Sequence, residues 1–352
     1  MRNSRLGVLG LLVVSVQALA AAGCGGGGGD DDGVDRIPAS YTITEPSLLV
    51  AVGNAGTLRV LKQSDLSITA TVTLRAGLRP HALELSPDKT LLSVSQLAPL
   101  DVGGGKPPPP GELLVLDART GQEKASIKTP GSTENALLMA GGKLVFAERS
   151  TGMLHFGRLV EGSFDIATEA DLAVCATPMH TTLTRDNARI LVACDDADTL
   201  AIVDAVSRAK IEIAVGDRPL AAWIGDAGKY YVANQGSKDL SVGAIGQTPT
   251  PMALGYTPGM VAPSPDGTEF AVADREGGRI MIYRTANQLE IATLAVAAGT
   301  FAIVWAPDGK KLWVTNESAG TVSQLSHPQA FTLVLDNSVE VGPGAYGLVA
   351  IQ

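Results

Sequence analysis

The stretch RPLAAWIGDAGKYYVANQGSKDLSVGAIGQTPTPMAL, residues 218–254, reads as four short strands separated by turns. Residues 220–224 are apolar and long enough for one strand, and Gly225, Asp226 and Gly228 turn the chain back. Residues 230–233 make a second apolar strand, 234–238 a polar loop, 239–242 the start of a third strand, and 250–254 an outer strand.

The second strand of this unit has six further copies. The seven lie at residues 48–52, 91–95, 143–146, 190–193, 230–233, 269–272 and 311–314, with successive starts 39 to 52 residues apart. A unit of four strands repeated at that period is the signature of a β-propeller. The chain enters on a second strand at Leu48 and ends on residues 344–352, a stretch patterned like the inner strands and followed by no hairpin of its own. The expectation is an all-β, seven-bladed propeller of four-stranded blades over residues 41–352, closed by pairing of the C-terminal strand with the N-terminal blade. The unit at 143–175 diverges most from the others.

Composition agrees with many turns and small packed strands: 40 glycines, 20 prolines and only 4% aromatic residues in 352. The formal charge is -9, and more negative still once a leader carrying Arg2 and Arg5 is removed. That balance lacks the basic footprint of a nucleic-acid binder or of a domain held to anionic lipid by charge.

Within the repeats, Tyr231-Val232-Ala233-Asn234 followed by Gly236-Ser237, and again Trp313-Val314-Thr315-Asn316, resemble the repeat of the YVTN-type propellers. The turns Ser86-Pro87-Asp88, Ser264-Pro265-Asp266-Gly267 and Ala306-Pro307-Asp308-Gly309, and the third strands ending Val203-Asp204 and Leu116-Asp117, extend the likeness over roughly residues 48–351. The resemblance implies the propeller fold.

Residues 1–23 have a basic start, an apolar run from Leu6 to Ala22 and small residues before Cys24, the pattern of a secretory signal. Ala21-Ala22-Gly23-Cys24 resembles a bacterial lipobox, which implies cleavage before Cys24 and acylation of that cysteine. Gly25 to Gly29 and Asp30 to Asp32 follow, so residues 24–40 read as a solvated tether. The expected address is outside the cytoplasm, membrane-anchored through acylated Cys24, on the outer membrane or cell surface. Cys175 and Cys194 are then the remaining cysteines. An even pair in an exported chain invites a disulfide. Two buried thiols, or a thiolate site with His180, are the alternatives.

Loops before each inner strand and between strands two and three share one face. His81 and His180 stand at the start of inner strands, and Asp195, Asp196 and Asp274 lie in nearby loops, so these five form the candidate binding set. No His-x-His pairing marks a metal site, and no cofactor is expected beyond an outside chance of a divalent metal. No Gly-x-Ser-x-Gly elbow, His-Glu-x-x-His or Walker loop occurs in the chain. The insertion 98–111, with its run of four prolines, reads as a stiff surface segment. The expectation is a monomeric, non-catalytic binding or scaffold protein whose partner is a protein or envelope polymer. Two alternatives stand beside it. One is a lactonase-like hydrolase using a divalent cation in the channel; the other is a periplasmic metal-delivery protein.

Overall fold

A computed structural model describes residues 37–96, 111–129, 131–160, 163–165, 171–184, 186–225 and 228–352. The leader, Cys24, the tether through residue 36 and the insertion at 98–110 lie outside these residues.

The second strands are apolar at consecutive positions because both of their faces are covered. All six residues of Ser47–Val52 are buried, as are all but the first of Lys229–Asn234. Between blades 1 and 2, Leu49 and Ala51 meet Leu92 and Val94. Between blades 6 and 7, Ala271 and Ile282 meet Ile303 and Val314. Outer strands such as Lys210–Ala214 and Val334–Glu340 face solvent and lack that apolar run.

Blade 5 shows the plan: Pro219–Ile224, Lys229–Asn234, Asp239–Ala244 and Thr250–Ala253 pair antiparallel in that order from channel to rim. Seven such sheets form the ring. Blade 3 departs from it, because two short strands, Ser163–Asp165 and Leu172–Ala173, share the edge of Met153–Val160. Blade 1 is assembled from both ends of the propeller. Ala345–Ile351 pairs with Ser47–Val52, from Ser47 opposite Ile351 to Val52 opposite Ala345. Among the described residues no helix is long and apolar enough to cross a membrane.

One local feature recurs in every blade: the ladder between inner and second strand slips near the start of the inner strand. Pro80 pairs with Gln96 and Leu83 with Val94, so His81 and Ala82 oppose Ser95 alone. Glu134 and Asn135 oppose Ala147, and Met179 and His180 oppose Ala193, in the same way. Such bulges bend a strand and re-aim its side chains. Four inner strands begin on proline (Pro80, Pro178, Pro219, Pro258), which fits the first position because no ladder donor is needed there.

Candidate functional site

The inner strands of blades 2, 4 and 6 are buried over their first two residues and become accessible further along. At the buried end Met179, Leu220 and Phe301 pack with Met260 and Tyr346. A cavity of about 250 Å³ lies along the inner strands of all seven blades.

Its polar residues all come from blades 2, 3 and 4. His180 points Nε2 at Glu84 Oε1, 3.5 Å away. Asn135 Nδ2 donates to the same Glu84 oxygen at 3.1 Å and to Thr181 O at 2.9 Å. Asn135 Oδ1 accepts from Thr181 N and Oγ1, both at 2.8 Å. The amide is thus locked, and it holds the Glu84 oxygen that His180 Nε2 faces. His180 Nδ1 is buried with no hydrogen-bond partner among the described residues. Buried polar atoms are rarely left so.

His81 is the second histidine on the cavity. Its Nδ1 lies 3.4 Å from Glu134 O and 3.6 Å from Glu134 Oε2. Its ring packs on Tyr346 and Phe301, with centroids 4.7 and 5.8 Å away. Burial holds this imidazole below its usual proton affinity, and the nearby Glu134 carboxylate opposes that shift without reversing it. Tyr346 is pushed up by burial and by Glu317.

A line of ion pairs runs outward from Glu134. Arg149 reaches Glu134 at 3.2 Å and Asp195 at 3.9 Å, and Arg218 reaches Asp195 at 3.3 Å. On the other side Arg275 binds Glu317 at 2.8 Å.

The structure therefore brings His81 and His180 to one cavity, and leaves the three aspartates elsewhere. Asp195 is buried between Arg149 and Arg218. Asp196 is exposed and accepts from the Thr177 hydroxyl. Asp274 is buried in its own turn, where Arg279 binds it at 2.6 and 2.9 Å and Gly277 N donates to it at 2.8 Å. Glu84 and Glu134, which line the cavity, and Asn135, which holds Glu84 from behind, were not singled out from the sequence. A signal for them existed: Glu134 occupies the bulge position that blades 5 and 7 fill with Leu220 and Phe301.

Cys175 and Cys194 form a disulfide. Neither sulfur is then a thiolate, which removes the cysteine–His180 metal site. Among the described residues no group of three or more His, Cys, Asp or Glu side chains is placed to hold a metal ion. The channel donors come as two His–carboxylate pairs, so the cavity does not fit the divalent cation of the hydrolase alternative.

No family model matches the chain, and no curated protein is recognisably similar to it in sequence. Solved structures are similar in fold. The periplasmic gluconolactonase PpgL of Pseudomonas aeruginosa matches with a TM-score of 0.70 at 16% identity, over 87% of this chain and 99% of its own. A Bacteroides uniformis protein provisionally assigned as a 6-phosphogluconolactonase matches with a TM-score of 0.71 at 13% identity, over 88% of this chain and 100% of its own. A Bacteroides fragilis protein with the same provisional assignment gives 0.70 at 13% identity, over 88% and 98%. Identities this low speak to a shared fold. The expectation of a non-catalytic binding or scaffold protein, and with it that of a chain that is not an enzyme, is nevertheless corrected by these findings. These three fold neighbours are named for lactone hydrolysis, and the channel carries paired histidines and carboxylates. A search for linear motifs could not find this constellation, because its members come from three blades.

Proposed function

We propose that the protein is a lactone hydrolase whose chemistry takes place on the polar wall of the channel. The observation that carries the reading is His180, with Nε2 facing Glu84 and Nδ1 buried and unengaged. The names of the three fold neighbours described above support it.

In the proposed reaction a small turn of the His180 side chain brings Nδ1, shielded from solvent in the resting structure, to the cavity, where it takes a proton from water as the water oxygen bonds to the lactone carbonyl carbon. Nε2–H faces the Glu84 carboxylate, which offsets the imidazolium charge; Asn135 holds that carboxylate in place. The tetrahedral oxyanion then collapses, the ring C–O bond breaks, and the leaving alkoxide takes the proton back from His180. Water and lactone give a hydroxy acid, and no other reactant is consumed. Glu84 and Asn135 are positioning residues. The full-length protein should release acid from δ-lactones in a pH-stat with chelator present, and His180→Gln should lower kcat by at least about 100-fold. No turnover of any lactone, or an undiminished rate in His180→Gln, would overturn the reading.

The proposal includes export and anchoring. The leader 1–23, Cys24 and the Gly/Asp tether support it, as does a disulfide, a bond that persists in oxidising compartments. Mass spectrometry of protein from cell envelopes should find an acylated N-terminal Cys24 with Cys175 and Cys194 oxidised. An intact leader, or an unmodified Cys24, would remove the anchor.

A further inference from the structure

The cavity is two-faced. Where blades 2, 3 and 4 set His81, Glu134 and His180 at their bulges, blades 5, 6 and 7 set Leu220, Met260 and Phe301. Blade 1 adds Leu348 and Val349 to the apolar side. The polar groups are also largely committed to one another. Asn135 binds Glu84, Arg149 binds Glu134, and Arg275 binds Glu317. Among the described residues, the wall of blades 5, 6, 7 and 1 offers no polar side chain to the cavity lining.

From this asymmetry we infer that the substrate is an alkyl-substituted lactone, with its ring ester against the His180–Glu84 wall and its hydrocarbon tail along Met260, Phe301 and Leu348. The inference rests on the hydrolase reading above and names its substrate class. A sugar lactone carries a hydroxyl on nearly every carbon, and those turned to the apolar wall would meet no polar side chain there, a poorer exchange than the free sugar makes with water. A phosphorylated sugar fits less well again, because Glu84 and Glu134 present two carboxylates to the cavity and the neighbouring Arg149 and Arg275 already hold carboxylates. An alkyl tail on the same wall gains from each methylene removed from water. The volume of about 250 Å³ suits a ring with a short tail.

The experiment compares δ-decalactone, δ-valerolactone and glucono-δ-lactone on the full-length protein. The tailed lactone should exceed each of the others by at least about tenfold in kcat/KM. Met260→Gln should cut the decalactone-to-valerolactone ratio by about tenfold, and Leu348→Gln gives a second reading of the same wall should the first variant misfold. Equal rates, or preference for glucono-δ-lactone, would overturn the inference and leave the hydrolase reading standing. Should no lactone be hydrolysed, calorimetry with the unreactive lactam of the same ring and tail decides the inference separately. Saturable binding with a negative heat-capacity change supports it, and no binding overturns it.

Discussion

His81 meets conditions that few surface histidines meet. It is packed under Tyr346 and Phe301, and burial depresses its proton affinity more than Glu134 raises it; the charge of His180 acts in the same direction as burial, and Glu317 against it. The unfolded chain takes up this proton near the ordinary value of 6.5, the folded chain only at lower pH. Between the two values the unfolded state binds more protons, so acidification favours unfolding; above the ordinary value His81 adds no pH dependence, and below the folded value its share of the loss is complete. His81→Gln keeps a polar side chain of similar reach and removes the titration. The unfolding free energy of the wild type, measured by denaturant titration from pH 6.5 down to about pH 5, should fall more steeply than that of the variant, by at most about 1.4 kcal/mol per pH unit. Parallel profiles would mean that His81 takes up its proton as readily in the folded protein as in the unfolded chain, against the burial argument. Because the ring stays neutral near pH 7, His81 can accept a hydrogen bond in the cavity without adding charge beside His180.

At the level of single strands, burial decided what could be read in advance. The stretches 48–52, 91–95 and 230–233 fall within Ser47–Val52, Leu91–Gln96 and Lys229–Asn234, because a strand covered on both faces must be apolar along its length. Outer strands are nearly silent by comparison. Val334–Glu340 pairs along the whole of Thr321–Ser326 yet is almost wholly exposed, so nothing in its residue types announces it. The candidate site lies between these cases. His81 and His180 stood out as two of four histidines, and proline before them marked a strand start. Glu84, Glu134 and Asn135 did not stand out, since an acid or amide in a short strand ordinarily reads as solvent-facing. The bulge breaks the two-residue alternation from which facing is inferred, and its two-against-one pairing turns both Glu134 and Asn135 into places that a regular strand could not reach together. Asp274 shows the converse error. It looked like a loop acid free to bind, and its carboxylate is spent on Arg279 and on the amide of its own turn.

For the molecule as a whole, the position of the polar cavity wall depends on ring closure, and closure depends on the last eight residues. Ala345–Ile351 supplies the inner strand of blade 1, and its side chains are shared between two interblade cores: Ala345 and Leu348 pack toward blade 7, Val349 and Ile351 toward blade 2. Gly347 runs so close to blade 2 that a Cβ there would stand 2.6 Å from His81 O and 2.8 Å from Leu83 N. The same strand carries Tyr346, which packs on His81 and accepts at its carbonyl a hydrogen bond of 2.7 Å from Thr315 of blade 7. Removing residues 345–352 would leave Ser47–Val52 with an unpaired edge and a row of apolar side chains uncovered, in a ring whose other interfaces depend on curvature being completed. The truncated chain should lose its cooperative melting transition and associate on size-exclusion chromatography. Gly347→Val tests the same joint more gently. Because backbone atoms and not a flexible side chain stand in the way, blades 1 and 2 must separate, at a cost of about 1–3 kcal/mol, and thermal unfolding should come several degrees lower. A truncated protein that melts like the full chain would show that the ring holds with blade 1 incomplete, and the geometry of His81 would then need another support than the chain's own end.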